Sequence, residues 1–180
     1  GKSSPAWRGA ATLTAFSLTL LFFSMLTVGS QAPAFTLNDQ KGEAHSLSEA
    51  KGSWVLIYFY PKDDTPGCTK EACALRDAFP AFKKLDALVY GVSVDSEKSH
   101  GKFVEKYQLP FVLLADTDKT MVEAYGVWGK KKFMGREYMG TNRMSFLIDP
   151  QGKIAKIYEK VKPETHADEV LADLKALRAA

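Results

Sequence analysis

Cysteine is nearly absent from this chain: 180 residues hold two, Cys68 and Cys73. Two thiols cannot build the multi-bridge framework of a small secreted domain, and alone they do not make a zinc site. Histidine is almost as scarce. His45, His100 and His166 are scattered along the chain, at no metal-ligand spacing with each other or with the cysteines. An excess of one charge is also lacking. The formal net charge is +3, and Lys2 and Arg8 near the N-terminus supply two of it. The nearly neutral remainder gives no electrostatic case for nucleic acid. Asp116 and Asp118 are followed by no calcium-loop pattern and read as helix-capping residues. No internal repeat or low-complexity tract is present.

What is there alternates between two periods. Ala34–Asn38 reads as a short edge strand before a turn at Gln40–Gly42. Trp54–Tyr60 is an unbroken apolar run, the mark of a strand buried on both faces. From Cys68 onward, Ala72, Leu75, Phe79, Phe82 and Leu85 keep helical spacing, and Pro80 is expected to kink that helix or to begin a new one. Leu88–Val94 is a second central strand. Ser96–Tyr107 is a helix capped by Ser96, Val112–Ala115 a short strand, and Asp116 or Thr117 opens a helix through Tyr125. Gly126–Asn142, rich in glycine, aromatic and basic residues, reads as a solvated loop, with a partner-receiving rim as the alternative. Met144–Ile148 and Lys153–Tyr158 flank the turn Asp149–Gly152, and His166–Leu177 closes the chain as a helix. This order predicts an α/β, thioredoxin-like fold with a central mixed β-sheet flanked by helices. Residues 29–180 form that domain, and residues 1–28 are a separate hydrophobic segment.

The two cysteines stand where a thiol becomes reactive. The apolar run delivers the chain to a turn, Pro61-Lys62-Asp63-Asp64-Thr65-Pro66-Gly67, and Cys68 follows at the start of a helix. Unpaired N–H groups and the positive dipole end favour a thiolate there. Five residues of helix rise about 7.5 Å and turn about 500°, which separates the two Cα atoms by roughly 8–9 Å. A disulfide needs about 7 Å or less. Cys68 and Cys73 can therefore be bridged only if the first turns unwind, which suits a redox cycle and not a structural staple. The spacing also misses the Cys-x-x-Cys dithiol motif.

These residues resemble a known family. Pro61-x-x-x-Thr65-x-x-Cys68 is similar to the peroxiredoxin active-site motif, and Cys73 matches the peroxiredoxin Q, or bacterioferritin comigratory protein, subfamily. The likeness continues in Ala32–Leu37, in Val127–Gly135 and in Arg143–Asp149, and covers about residues 29–180. Ala34 departs from the aspartate that the family usually carries. The resemblance implies a thiol peroxidase. Cys68 would be the peroxidatic thiol and Cys73 the resolving one, closing an intramolecular disulfide. Arg143, which composition alone leaves as an ordinary exposed arginine, would stabilise the thiolate. Thr65 would hold sulfur and peroxide together, and Pro61 would shield the sulfur from water. Glu71 is expected on the helix surface, with a place in the network around Arg143 as the alternative. The implied partners are a peroxide substrate and thioredoxin or a similar dithiol reductant, with the protein a monomer. No metal or cofactor is implied, because sulfur carries the electrons. The alternatives in other classes are a peroxide-responsive redox sensor and a thioredoxin-fold interaction domain.

Gly9–Asn38 contains no charged residue. With Arg8 before it, the segment fits a transmembrane anchor or a signal peptide, an export or anchoring reading carried by residues 9–30. If Met25 is the true start, the expectation is the bacterial cytoplasm.

Overall fold

The computed structural model describes residues 25–180. The expected hydrophobic segment lies outside the described residues except at its end, where Leu26 packs against the core. Among the described residues, no helix is long and apolar enough to cross a membrane.

The principal sheet has five strands. In chain order its members are β3 (Trp54–Phe59), β4 (Ala87–Ser93), β5 (Val112–Ala115), β8 (Met144–Ile148) and β9 (Ile154–Tyr158), arranged β5-β4-β3-β8-β9. β3 runs parallel to β4 and antiparallel to β8. The apolar run therefore sits at the centre, and its alternate residues serve two cores. Leu56, Tyr58 and Tyr60 face a cluster with Cys68, Ala72, Leu75 and Phe82 of α1 (Pro66–Lys84), Phe103 of α2 (Glu97–Tyr107), and Val170 and Leu174 of α4 (His166–Ala179). Val55, Ile57 and Phe59 face a second cluster with Met121 and Val122 of α3 (Thr120–Ala124). Helices on both faces of a mixed sheet give the expected thioredoxin-like architecture.

Four details differ from the sequence reading. β1 (Thr36–Asn38) pairs with β2 (Ala44–Ser46) in a small ribbon of its own, which an isolated bridge between Asp39 and Leu114 links to the principal sheet. α1 runs unbroken through Pro80, which is exposed, so water can serve the Arg76 carbonyl that the proline leaves without a donor. α3 starts only at Thr120. Asp116 still supports it, accepting from the Val122 N–H at 2.8 Å. Gly126–Asn142 is not a loop: β6 (Trp128–Phe133) and β7 (Arg136–Thr141) form a regular antiparallel hairpin.

Candidate active site

The turn between β3 and α1 is held by two consecutive aspartates. Buried Asp63 accepts from the Tyr60 hydroxyl at 2.6 Å and the Ser99 hydroxyl at 2.8 Å, and meets His100 Nδ1 at 2.7 Å. Its own N–H donates to Asp95 Oδ2 at 2.9 Å. Asp64, at φ 53°, accepts from Lys106 Nζ and from the Tyr107 hydroxyl, both at 2.7 Å. These two donors hold the Asp64 carboxyl below its usual range. The turn is thus tied to α2 at both ends of that helix. Sequence spacing missed this, because Ser99 and His100 lie 36 and 37 residues away.

The fold also groups histidines with carboxylates in a way that spacing along the chain hides. Asp63, Asp95 and His100 bring ligand-type atoms within 4.8 Å of one another, as do Asp39, Glu43 and His45. Internal partners already engage the first set. His100 Nε2 faces the Leu114 carbonyl at 2.9 Å, and Asp95 Oδ2 also accepts from Ser93 at 2.7 Å. Their role in this structure is to anchor the turn.

Pro66 occupies the first position of α1, where its missing N–H is no loss. Thr65 is the N-cap residue, but no side chain caps the helix. The N–H groups of Gly67 and Cys68, in the same first turn as the sulfur, therefore have no side-chain capping oxygen. Cys68 is buried, Cys73 half-buried, and both thiols are unbridged within one continuous helix. The Thr65 hydroxyl donates to the Lys62 carbonyl at 2.8 Å and not to sulfur. Its lone pairs remain to accept a hydrogen bond from a bound peroxide.

Arg143 immediately precedes β8. The pairing of Phe59 with Met144 sets it across from Tyr60, beside the turn. Its Nη2 donates to Cys68 Sγ at 3.3 Å and its Nη1 to Glu71 Oε2 at 3.2 Å. Burial would weaken the guanidinium's hold on its proton, but the Glu71 and Cys68 charges more than offset this and raise its pKa. Gly67 leaves room for the approach: a β-carbon there would stand 3.1 Å from Nη2, a tight contact.

Glu71 corrects an expectation. It is buried, not on the surface. Helical spacing puts it one turn beyond Cys68 on the core-facing side of α1, where only the Arg143 charge makes a carboxylate tolerable. Burial outweighs Arg143 and pushes its carboxyl up to about 7. Its Oε1 and the nearby Tyr58 hydroxyl are both buried without a hydrogen-bond partner. Burial, then the Glu71, Asp63 and Cys68 charges, raise the Tyr58 phenol well above its usual range.

Pro61, half-buried, lines a cavity of about 270 Å³ with Lys62, Val94, Trp128, Lys131, Tyr138, Met139, Gly140 and Thr141. The β6–β7 hairpin supplies most of that wall. Lys131 Nζ donates to the Thr141 carbonyl at 2.9 Å. Burial and the Arg143 charge lower the Lys131 pKa while the Cys68 charge opposes them, so this lysine stands within reach of the thiol's field. Sequence reasoning missed Lys131; its place in a run of three lysines looked like a solvated surface.

The chain is similar to known proteins in both sequence and fold. The sequence model of the AhpC/TSA family matches residues 28–157. Peroxiredoxin Bcp of Bacillus subtilis (strain 168) is 49% identical over 150 residues, covering 83% of this chain and 96% of the relative. A structure of Xanthomonas campestris bacterioferritin comigratory protein, studied for its alkyl peroxide reduction activity, superposes with TM-score 0.76 at 40% identity, covering 79% of this chain and 91% of the other. A mutant of Xylella fastidiosa PrxQ superposes with TM-score 0.81 at 34% identity, covering 86% and 99%.

Proposed function

The chain belongs to the AhpC/TSA family and is a thiol-dependent peroxidase, a peroxiredoxin of the Bcp/Q kind, and from that premise we propose that Cys68 is the peroxidatic thiol and Cys73 the resolving one. The observation that carries the assignment is the 3.3 Å contact between Arg143 Nη2 and the Cys68 sulfur at the uncapped start of α1. A guanidinium and a helix N-terminus together stabilise a thiolate and the negative charge that develops on the peroxide oxygens.

The thiolate attacks one oxygen of a hydroperoxide, ROOH. An S–O bond forms, the O–O bond breaks, and the leaving oxygen departs as ROH with the peroxide proton. Thr65 accepts a hydrogen bond from the peroxide, Arg143 and the Gly67 and Cys68 N–H groups hold the oxygens, and Pro61 keeps water from the sulfur. Cys68 is left as a sulfenate, which takes from solvent the proton that the thiol had given up and becomes a sulfenic acid. The Cys73 thiol condenses with it, releasing water and forming the Cys68–Cys73 disulfide. A dithiol such as thioredoxin reduces the disulfide by exchange and regenerates both thiols. The activity studied in the Xanthomonas protein supports including alkyl hydroperoxides with hydrogen peroxide as substrates.

The test separates the two sulfurs. Cys68→Ser abolishes peroxide turnover. Cys73→Ser reacts once and stops at the sulfenic acid or a higher oxide, visible by mass. Turnover retained in Cys68→Ser and lost in Cys73→Ser would reverse the roles.

A further inference from the structure

The β6–β7 hairpin carries a surface that the peroxide chemistry does not use. Among the described residues, the exposed large apolar side chains are few, and four of them, Phe133, Met134, Tyr138 and Met139, belong to this one hairpin. Phe133 is 67% exposed and Met134 88%. The turn makes the choice of residue more telling. Phe133 pairs with Arg136, leaving Met134 and Gly135 as a two-residue loop with φ of 50° and 79°. Asparagine or aspartate before glycine suits such a turn; a methionine there is a conformational cost. Nothing in the core repays that cost, because the side chain stands in solvent. Phe133 and Tyr138 fall on the same face of the ribbon, one register step apart, and exposed apolar side chains gathered on one hairpin at that expense mark a contact surface.

Its position selects the partner. The root of the hairpin, through Lys131, Tyr138 and Met139, shares a cavity with Pro61 and Lys62 of the thiol turn. Phe133 lies only two residues beyond Lys131, about 7 Å along an extended strand. A protein bound at a stable interface covers roughly 800 Å² on each side. Any protein that brings a thiol to the Cys68–Cys73 disulfide therefore reaches the hairpin as well. Lys130, Lys132 and Arg136 are exposed around the apolar tip, opposed by Glu137 alone. The complementary surface is apolar around its own thiols and acidic at its rim.

We propose that the β6–β7 hairpin is the docking surface for the protein dithiol that reduces the Cys68–Cys73 disulfide, with Phe133 and Met134 as apolar anchors and Lys130, Lys132 and Arg136 as the electrostatic rim. This rests on the reading of the protein as a peroxidase recycled by a dithiol. In the exchange, a partner thiolate attacks the Cys73 sulfur. The partner–Cys73 bond forms, the Cys68–Cys73 bond breaks, and Cys68 leaves as the thiolate. The second partner thiol then attacks its own mixed disulfide, freeing Cys73. Two electrons pass to this protein, and the partner ends as a disulfide.

The experiment uses the full chain with hydrogen peroxide and compares two reductants: a bacterial thioredoxin with its reductase and NADPH, and dithiothreitol. The double variant Phe133→Ser, Met134→Ser raises the KM for thioredoxin by about tenfold or more, the loss expected for removing interface anchors. The double variant Lys132→Glu, Arg136→Glu also raises it and flattens its dependence on salt. In both, dithiothreitol-supported turnover stays at the wild-type level, which shows that the peroxide site is intact. A thioredoxin KM unchanged in both variants overturns the docking surface and leaves the reductant in place. The same holds if the variants instead lose co-sedimentation with phosphatidylglycerol vesicles, which assigns the hairpin to lipid. A wild-type protein that turns over with dithiothreitol but not with thioredoxin overturns the partner itself.

Discussion

Glu71 and Cys68 share one guanidinium: Arg143 donates from Nη1 to Glu71 Oε2 at 3.2 Å and from Nη2 to the Cys68 sulfur at 3.3 Å. Two buried anions cannot both be fully compensated by a single cation. With the carboxyl raised to about 7, the site relieves the conflict by keeping a proton on Glu71 over much of the acidic range. A neutral Glu71 still receives the Nη1 hydrogen bond, and the guanidinium charge is left to the sulfur.

The first prediction follows from that carboxyl. It ionises at its ordinary value of 4.5 when unfolded and at about 7 when folded. Below the lower value both states hold the proton and nothing is lost. Between the two, the unfolded chain releases a proton that the folded protein keeps, so rising pH favours unfolding. Above the upper value the penalty is constant, at up to about 3 kcal/mol. Relative to Glu71→Gln, the wild type should lose stability as pH rises through this window and run parallel outside it. Denaturant unfolding of both proteins from acid to mildly alkaline pH checks this; parallel curves throughout would remove Glu71 from the balance.

Gly67→Ala separates catalysis from stability. The added β-carbon would stand 3.1 Å from Arg143 Nη2, so the guanidinium must shift by a few tenths of an ångström. Alanine is also the better helix former by about 1 kcal/mol. The expected result is a melting temperature unchanged or raised, together with a second-order rate constant for peroxide reduced about tenfold or more, since misplacing one donor is costly. Stopped-flow oxidation of the reduced protein reads the rate. An unaltered rate with a stable fold would mean that Arg143 has slack the structure does not show.

Asp63→Ala should act through the turn. It leaves the buried Tyr60 hydroxyl and His100 Nδ1 without their carboxylate, and each abandoned buried polar group costs about 1–3 kcal/mol. Asp63→Asn retains an acceptor and should recover much of the loss. If the turn positions Thr65 and Cys68, both variants should also slow peroxide reduction, the alanine more. A stability loss with no change in rate would limit Asp63 to holding the fold.

How far these groups were legible follows from what each depends on. The central strand was plain in Trp54–Tyr60, because burial on both faces leaves no polar residue in the run. The start of α1 was plain in its proline and glycine, which fix a turn and a first helical residue locally. Glu71 was not legible, since its burial depends on an arginine 72 residues away. Nor was the link from Asp63 to His100, which only the packing of α2 against the turn creates. The hairpin was obscured by its own exposure. Three consecutive lysines and two glycine-containing stretches carry no alternating apolar pattern, so the pairing of β6 with β7 left no period to read.

The last prediction concerns the movement that the two cysteines require. Both lie in α1, which is unbroken from Pro66 to Lys84. An intact helix holds their Cα atoms roughly 8–9 Å apart, beyond the reach of a disulfide. Oxidation must therefore unwind the first turns. The turn before them is tied to α2 through Asp63 and Asp64, and the later part of α1 is held by Leu75 and Phe82 in the core. Unwinding is then confined between two fixed points, and its extent is set by the distance between Pro66 and Leu75. In the reduced protein, amides from Thr69 to Leu75 should be protected from hydrogen exchange. In the oxidised protein they should exchange much faster, while β3 and the second half of α1 keep their protection. Cys68 and Glu71 leave their buried places together, so the Arg143–Glu71 pair should break on oxidation and re-form on reduction. Equal protection of Thr69–Leu75 in both states, with the disulfide confirmed by mass, would show that the bond forms without opening the helix and that the geometric argument is wrong.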